Sequence, residues 1–253
     1  MKSNKPKSHN AVKVDCSDNS EDIRERTKTN SNSTSKYVKQ YTLGEEIFNS
    51  VTHGAGSLLA IAGTVVLLVF SVIYGDAWCV VSAAIYGFTL ICLYTMSTLY
   101  HSITHVNAKH FFRIMDHNTI FILIAGTYTP YMLVTLHGTF GWTILGIIWG
   151  TAAIGITLNS IDLEKFRKPS VVLYLIMGWA IVFAIPSLIN NFGNSSLALV
   201  FLMVGGIFYT VGIVFYAIKK IKYFHSIWHL FTIGGSIFHY FSIFIALTNQ
   251  RHI

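Results

Sequence analysis

The chain has 253 residues, of which 53% are hydrophobic and only 11% charged, and it carries a formal net charge of +7. A soluble globular domain has about a quarter of its residues charged, so this composition excludes an ordinary soluble protein and indicates a membrane protein. The positive charge does not require a nucleic-acid partner, because basic loops beside an anionic membrane surface give the same balance.

The N-terminal 40 residues are rich in Lys, Asn, Ser and Thr and contain almost no aromatic residues. Such a segment cannot bury enough apolar surface to fold, so we predict a disordered polar tail over residues 1–42. A membrane domain is predicted over residues 43–253. At its start Leu43, Ile47 and Val51 recur at i, i+4 and i+8, which predicts a short interfacial helix before the first membrane span.

Seven apolar runs of roughly 19 to 24 residues follow, and each is long enough to cross a hydrocarbon core of about 30 Å as a helix. The runs cover residues 54–74, 77–100, 114–136, 139–158, 171–189, 197–218 and 227–247. Very short connections join them, so we predict an all-α membrane protein in which seven transmembrane helices pack as a bundle. Pro130 and Pro186 lie in or near the third and fifth runs and predict kinks there.

Lysine and arginine are distributed asymmetrically between the connections. If all seven runs cross the membrane, 17 of the 18 Lys and Arg residues lie on the side of the N-terminal tail, and only Arg251 lies on the other side. Cytoplasmic loops carry the excess of basic residues in membrane proteins. The pattern therefore predicts a cytoplasmic N-terminus, an external C-terminus and a multi-pass protein of the plasma membrane.

Polar side chains lie at the predicted cytoplasmic ends of three helices. The second helix ends with Ser97 and His101, the third begins with Asp116, and the seventh begins with His225 and His229. A carboxylate inside a membrane segment costs about 2.5–3.5 kcal/mol on insertion scales, so such a residue is normally paired or functional. The seven-span topology places these three helix ends at one membrane face.

This combination of residue types predicts a metal site. Two histidines at i and i+4 share one helix face, so the imidazoles of His225 and His229 can reach one metal ion at about 2.0–2.1 Å. His101 would complete a three-histidine set whose fourth position is left to water, as in catalytic zinc sites. Asp116 is predicted to orient that water or accept its proton, and Ser97 to donate a hydrogen bond to a ligand or substrate. Zinc is the expected cofactor, although copper, iron and nickel also accept imidazole.

The other histidines offer alternatives. His105 repeats the i, i+4 spacing after His101 and gives a rival pair just beyond the span. His53, at the start of the first run, could join the network. His117 and His239 are predicted to have structural roles, because the first points away from its neighbour Asp116 and the second lies deep in the seventh run.

Four segments carry a resemblance to a known family: EEIFNSVTHGAG at the first helix, STLYH at the end of the second, RIMDHNTIFILIAGTYTP across the third and FHSIWHLF at the start of the seventh. Together they resemble the hemolysin III family, which belongs with the progestin and adipoQ receptors, including the adiponectin receptors. The resemblance covers about residues 43–248. It implies a seven-helix bundle with a cytoplasmic N-terminus and a zinc site near that face. The family's Ser-x3-His maps onto Ser97 and His101, its third-helix Asp onto Asp116, and its His-x3-His onto His225 and His229.

Related alkaline ceramidases use a similar constellation to hydrolyse a lipid amide. The resemblance therefore implies a zinc-dependent hydrolase of a lipid amide or ester, with a membrane lipid as substrate. Two alternatives stay open, a pore-forming cytolysin and a seven-helix receptor, and in both the zinc site would be structural. Haem ligation by histidines of separate helices is a further alternative use of the cluster. The sequence does not indicate the substrate or the oligomeric state.

Overall fold

The structure is a computed structural model that describes residues 41–192, 196–218 and 220–248. The predicted disordered tail falls on residues 1–40, outside the described residues, and on Tyr41 and Thr42, which the structure describes. Every long element of the described part is a helix.

Seven helices follow one another along the described chain. They are α1 (Leu43–Tyr74), α2 (Ala77–Ser102), α3 (Val106–Pro130), α4 (Thr139–Ile161), α5 (Leu163–Trp179, resuming as Ile185–Phe192), α6 (Ser196–Ala217) and α7 (Phe224–Thr248). Consecutive helices pack side by side, and α1 also packs against α7, whereas α5 makes few contacts with α6.

Six of the described helices are long and apolar enough to cross a membrane, and α3 is the exception. The reason lies in its surroundings, because α3 packs against α2, α4, α5 and α7. It buries Arg113, Asp116, Asn118 and Thr119 among those neighbours. A helix enclosed by other helices does not need an apolar surface, so its polar residues do not conflict with a place inside the bundle.

Helix α1 is one continuous element of 32 residues. The predicted separate interfacial helix is wrong in this respect, because its residues form the first turns of α1. A capping box starts the helix, with the Thr42 hydroxyl accepting from the backbone N–H of Glu45 and the Glu45 carboxylate accepting from the backbone N–H of Thr42. Leu43, Ile47 and Val51 are 77%, 56% and 64% exposed and point outwards from the bundle.

The connection between α1 and α2 consists of Gly75 and Asp76. Asp76 is the N-cap of α2, and its carboxylate accepts a hydrogen bond of 2.9 Å from the backbone N–H of Cys79. This hydrogen bond holds the pKa of the Asp76 carboxyl below its ordinary value. Such caps satisfy the free N–H groups that every helix start leaves, which allows two helices to follow each other with almost no loop.

The α-helical geometry breaks near both prolines for which the sequence predicted kinks. A π-helical segment, Tyr131–Thr135, follows Pro130 directly, and a 3-10 segment, Ala180–Ala184, precedes Pro186. Proline lacks a backbone N–H and its ring crowds the preceding turn, so the regular hydrogen-bond pattern changes at these points.

Helices α3 and α4 approach closely where Gly155 faces the ring of the fully buried Phe121. A methyl group at position 155 would overlap that ring. We therefore expect Gly155→Ala to lower the free energy of unfolding by about 1–3 kcal/mol, the usual cost of overpacking a filled core. Thermal unfolding in detergent, followed by tryptophan fluorescence, measures the change.

The same helix supplies a matched control in Gly150, whose added methyl group would meet no atom. Gly150→Ala is expected to leave the unfolding temperature unchanged or to raise it slightly, because alanine favours the helix by about 1 kcal/mol. Equal unfolding temperatures for the two alanine variants would contradict the tight contact at Gly155.

Candidate metal centre

Three histidines converge at one end of the bundle. His101 comes from the last turn of α2, and His225 and His229 come from the first two turns of α7. Each offers one ring nitrogen, and these three atoms lie within 4.8 Å of one another. All three side chains are buried. The structure thus brings together the three residues that the sequence analysis selected as ligands, and this group can hold a metal ion.

The local geometry fits a cation with imidazole ligands. The Nε2 atoms of His225 and His229 lie 3.1 Å apart, close to the roughly 3.3 Å that two nitrogens would have on a tetrahedral ion at 2.0–2.1 Å. The Nε2 atom of His101 is buried and has no hydrogen-bond partner among the described residues. A buried nitrogen without a partner costs free energy, and coordination of a cation would remove that cost.

A carboxylate contacts the cluster from α1. The Nδ1 atom of His101 lies 2.6 Å from Oε2 of Glu46, and the Nζ atom of Lys109 lies 2.9 Å from Oε1 of the same carboxylate. Glu46 was not among the site residues predicted from the sequence, because it lies before the first apolar run, residues 54–74. The signal was its spacing of seven residues from His53, which places both on one face of a helix.

Helix α1 also contributes an imidazole beside the cluster. The ring of His53 stacks on the ring of His229 with 3.6 Å between centroids, and the ring of Tyr94 meets His53 edge-on at 5.0 Å. Asn49 lies one turn before His53 and is fully buried. His53 therefore joins the network, as the sequence analysis allowed, and it packs against a candidate ligand.

Aromatic rings cover His225. The Tyr41 ring stacks on it at 4.7 Å between centroids and also lies 5.5 Å from the His101 ring, and the Trp228 ring stacks on His225 at 5.0 Å. Burial raises the pKa of the Tyr41 phenol well above its usual value, so this ring stays neutral. Tyr41 precedes α1 and was assigned to the tail, so this contact could not be anticipated from the apolar pattern.

The two remaining predicted site residues lie nearby on α2 and α3. Ser97 lies one turn before His101, is fully buried, and its hydroxyl has no hydrogen-bond partner among the described residues. Asp116 is buried, and one of its carboxylate oxygens lies 3.7 Å from Nδ1 of His117. The assignment of Ser97 and Asp116 as catalytic residues stays a prediction.

Asp116 and His53 face a common cavity of about 140 Å³. Its walls come mainly from α3, α5, α6 and α7 and are chiefly aliphatic and aromatic. Tyr174, Trp179 and Tyr209 contribute large rings to these walls. The cavity thus joins a polar end, formed by Asp116 and by His53 beside the ring of His229, to an apolar interior between helices.

Three other histidines, His105, His117 and His239, have partners elsewhere. His105 is the N-cap of α3 and accepts from the backbone N–H of Ala108, so the rival pair with His101 does not form a site. His117 contacts the Arg113 carbonyl and the Tyr216 hydroxyl, and His239 contacts the Leu202 carbonyl. The structural roles predicted for His117 and His239 agree with these contacts.

A bundle of apolar helices with three convergent buried histidines at one end defines a multi-pass integral membrane protein with a candidate metal centre. A family profile described as Haemolysin-III related matches residues 41–240. The chain belongs to this family, which confirms the resemblance seen in the helix motifs.

Individual relatives support the same assignment. "Hemolysin-3 homolog" of Bacillus subtilis (strain 168) is 44% identical over 203 residues, which cover 80% of this chain and 94% of that protein. "Hemolysin-3" of Bacillus cereus is 43% identical over 199 residues, 79% of this chain and 90% of that protein. The human "Monocyte to macrophage differentiation factor" is 31% identical over 208 residues, 80% of this chain and 84% of that protein. Bacterial and mammalian proteins thus share the domain.

Proposed function

We propose that the protein is a zinc-dependent hydrolase that cleaves an amide or ester bond in a membrane lipid. The observation that supports this most strongly is the buried three-histidine cluster next to an apolar cavity, whose lining includes the Asp116 carboxylate and His53, the ring that stacks on His229. A closed structural zinc site has four protein ligands, whereas a catalytic site has three and keeps one position open. Three histidine ligands correspond to the second type.

Each predicted site residue has a role in this chemistry. His101, His225 and His229 would hold the zinc, which supplies a Lewis acid that activates water and polarises a carbonyl group. The Asp116 carboxylate is an acceptor and would take the proton that the attacking water loses. The Ser97 hydroxyl is a buried donor without a partner among the described residues, so it can donate to the oxygen on which negative charge develops.

The cavity suits a lipid substrate. Its aliphatic and aromatic walls match an acyl chain, and its polar end matches the amide or ester group that would lie beside the histidines. Helices α5 and α6, which both line this cavity, make the fewest contacts of any two consecutive helices in the described part. A lipid would enter from the bilayer between these two helices, without passing through water.

The membrane arrangement is part of the proposal. All seven helices cross the membrane, including α3, with the N-terminus in the cytoplasm and the C-terminus outside. The excess of Lys and Arg on the side of the N-terminus supports this orientation. The candidate metal centre then lies near the cytoplasmic face of the plasma membrane, with His101 and His225 at a similar depth in the bilayer.

The alternative of a pore-forming cytolysin follows from the name of the Bacillus cereus relative. In that case the metal would only tie α2 to α7. Ion channels line their pores with rings of charged or carbonyl groups, whereas the cavity in the described bundle has chiefly apolar and aromatic walls. This difference favours the hydrolase.

Metal content gives the first prediction. We expect detergent-purified protein to contain near-stoichiometric zinc by elemental analysis, and His229→Gln to lose it, because the remaining two imidazoles hold zinc more weakly than three. His239→Gln changes another histidine of α7, and His105→Gln changes the rival partner of His101; both are expected to retain zinc. A folded, chelator-free wild type without metal would contradict the zinc site.

Activity gives the second prediction. Asp116→Asn is expected to lower the rate of lipid amide or ester hydrolysis by roughly 10²–10⁴, the usual contribution of a general base, while zinc content stays unchanged. Fluorogenic ceramide and ester analogues in mixed micelles provide the assay. Thr127→Val is the control. Thr127 also lines the cavity, but its hydroxyl donates a hydrogen bond to the backbone carbonyl of Leu123 and has no role in the proposed chemistry. Equal rates for Asp116→Asn and the control would remove Asp116 from the mechanism.

Orientation gives the third prediction. An epitope tag at the N-terminus is expected to survive protease added to intact cells, while a tag at the C-terminus is removed. The physical reason is the basic N-terminal side, which stays in the cytoplasm during insertion. Removal of the N-terminal tag from intact cells would contradict the proposed orientation.

A further inference from the structure

We propose that Glu46 is a positioning residue that fixes the ring of His101 so that its Nε2 lone pair points at the metal. The inference rests on the zinc site of the proposed function. It assigns a role to a residue of α1, a helix that contributes none of the three ligands.

The carboxylate is held from two directions. Oε2 lies 2.6 Å from Nδ1 of His101, and Oε1 lies 2.9 Å from Nζ of Lys109. Lys109 is itself fixed, because its ammonium group also donates to the carbonyls of Tyr100 at 3.0 Å and Ile103 at 3.3 Å. Both carbonyls lie at the end of α2, next to His101. Glu46 therefore sits in a rigid frame made of α1, the end of α2 and the start of α3.

This frame determines which nitrogen of His101 carries the proton. A carboxylate oxygen only accepts hydrogen bonds, so the ring donates its Nδ1–H to Glu46. In the neutral ring Nε2 then carries the lone pair, and that atom is the buried nitrogen without a partner among the described residues. Metal-binding histidines usually make such a hydrogen bond through their other nitrogen, because it fixes the ring and makes the ligand more basic.

A simpler role for Glu46 needs to be separated from this one. An acidic residue in the first turn of a helix also interacts favourably with the helix dipole, and Glu46 lies in the first turn of α1. That role would affect stability only. The experiment therefore needs readouts that follow the ring of His101 rather than the stability of α1.

Glu46→Gln keeps the size of the side chain and replaces one oxygen with an NH2 group. His101 and Lys109 both donate, so a single amide oxygen cannot accept from both in the observed arrangement. With the NH2 group towards His101, the ring proton moves to Nε2 and blocks the lone pair. We expect zinc to bind about 10–100-fold more weakly, measured by competition with a fluorescent chelator.

Asp162→Asn is the matched control. It removes one negative charge near the start of α5, where the side chain caps the helix by accepting from the Lys165 backbone N–H. Asparagine caps a helix as well as aspartate does, and Asp162 is no part of the histidine cluster. Its zinc affinity is expected to match that of the wild type.

A second measurement uses the wild type and does not depend on the folding of any Glu46 variant. In zinc-free protein labelled with ¹⁵N-histidine, the His101 signal is expected to show the proton on Nδ1. His101→Gln identifies that signal by its loss. In Glu46→Gln the proton is expected to shift towards Nε2.

The outcomes separate the two proposals. Wild-type zinc binding together with equal affinities for Glu46→Gln and Asp162→Asn overturns the role of Glu46 and leaves the zinc site standing. A proton on Nε2 of His101 in the zinc-free wild type overturns it as well, even if the variant does not fold. A wild type that binds no zinc overturns the proposed function and this inference together.

Discussion

Polar groups inside a membrane have no water to bind, and the rest of this structure follows from that constraint. Helix α1 shows it most clearly. Its apolar residues at positions 43, 47 and 51 face outwards, while Glu45, Asn49 and His53 on another face are buried in the bundle. This is the reverse of a soluble helix, where the apolar stripe packs inwards. The inward polar face of α1 meets the ends of α2 and α7, and their histidines gather there.

The number and order of the helices could be predicted from the sequence, but several of their ends could not. Apolar runs mark only the part of a helix that lies in hydrocarbon. Helix α1 begins at Leu43 rather than at residue 54, and α3 begins at Val106 rather than at residue 114. In both cases the added turns contain charged residues, and capping by Thr42 and His105 starts the helix. The length of an apolar run therefore does not give these helix starts, and capping chemistry has to be read instead.

The candidate site also contains residues that could be predicted from the sequence and residues that could not. His225 and His229 could be paired from their spacing, and His101 could be added from the predicted topology, which places all three at helix ends on one side of the bundle. Spacing along α1 could place Glu46 on the same helix face as His53, but it could not reveal the contact with His101, which lies 55 residues further along the chain. Tyr41 was missed because a single aromatic residue beside a polar segment gives no pattern at all. Contacts between distant segments depend on how helices rotate against each other, and that information is spread over the whole core.

The polar composition of α3 has a consequence for the biosynthesis of the protein. In the proposed arrangement α3 crosses the bilayer, and its first half contains both Arg113 and Asp116. Charged side chains oppose entry from the translocon, by about 2.5–3.5 kcal/mol when they lie at the centre of a span. Helix α3 is then a poor substrate for independent insertion, and it would enter the bilayer together with α2 and α4, which cover it. Cooperative insertion would keep the exposure of Asp116 to lipid short. Substitutions that weaken the packing of α3 against α2 or α4 would then lower the amount of correctly inserted protein before they change the activity of the site.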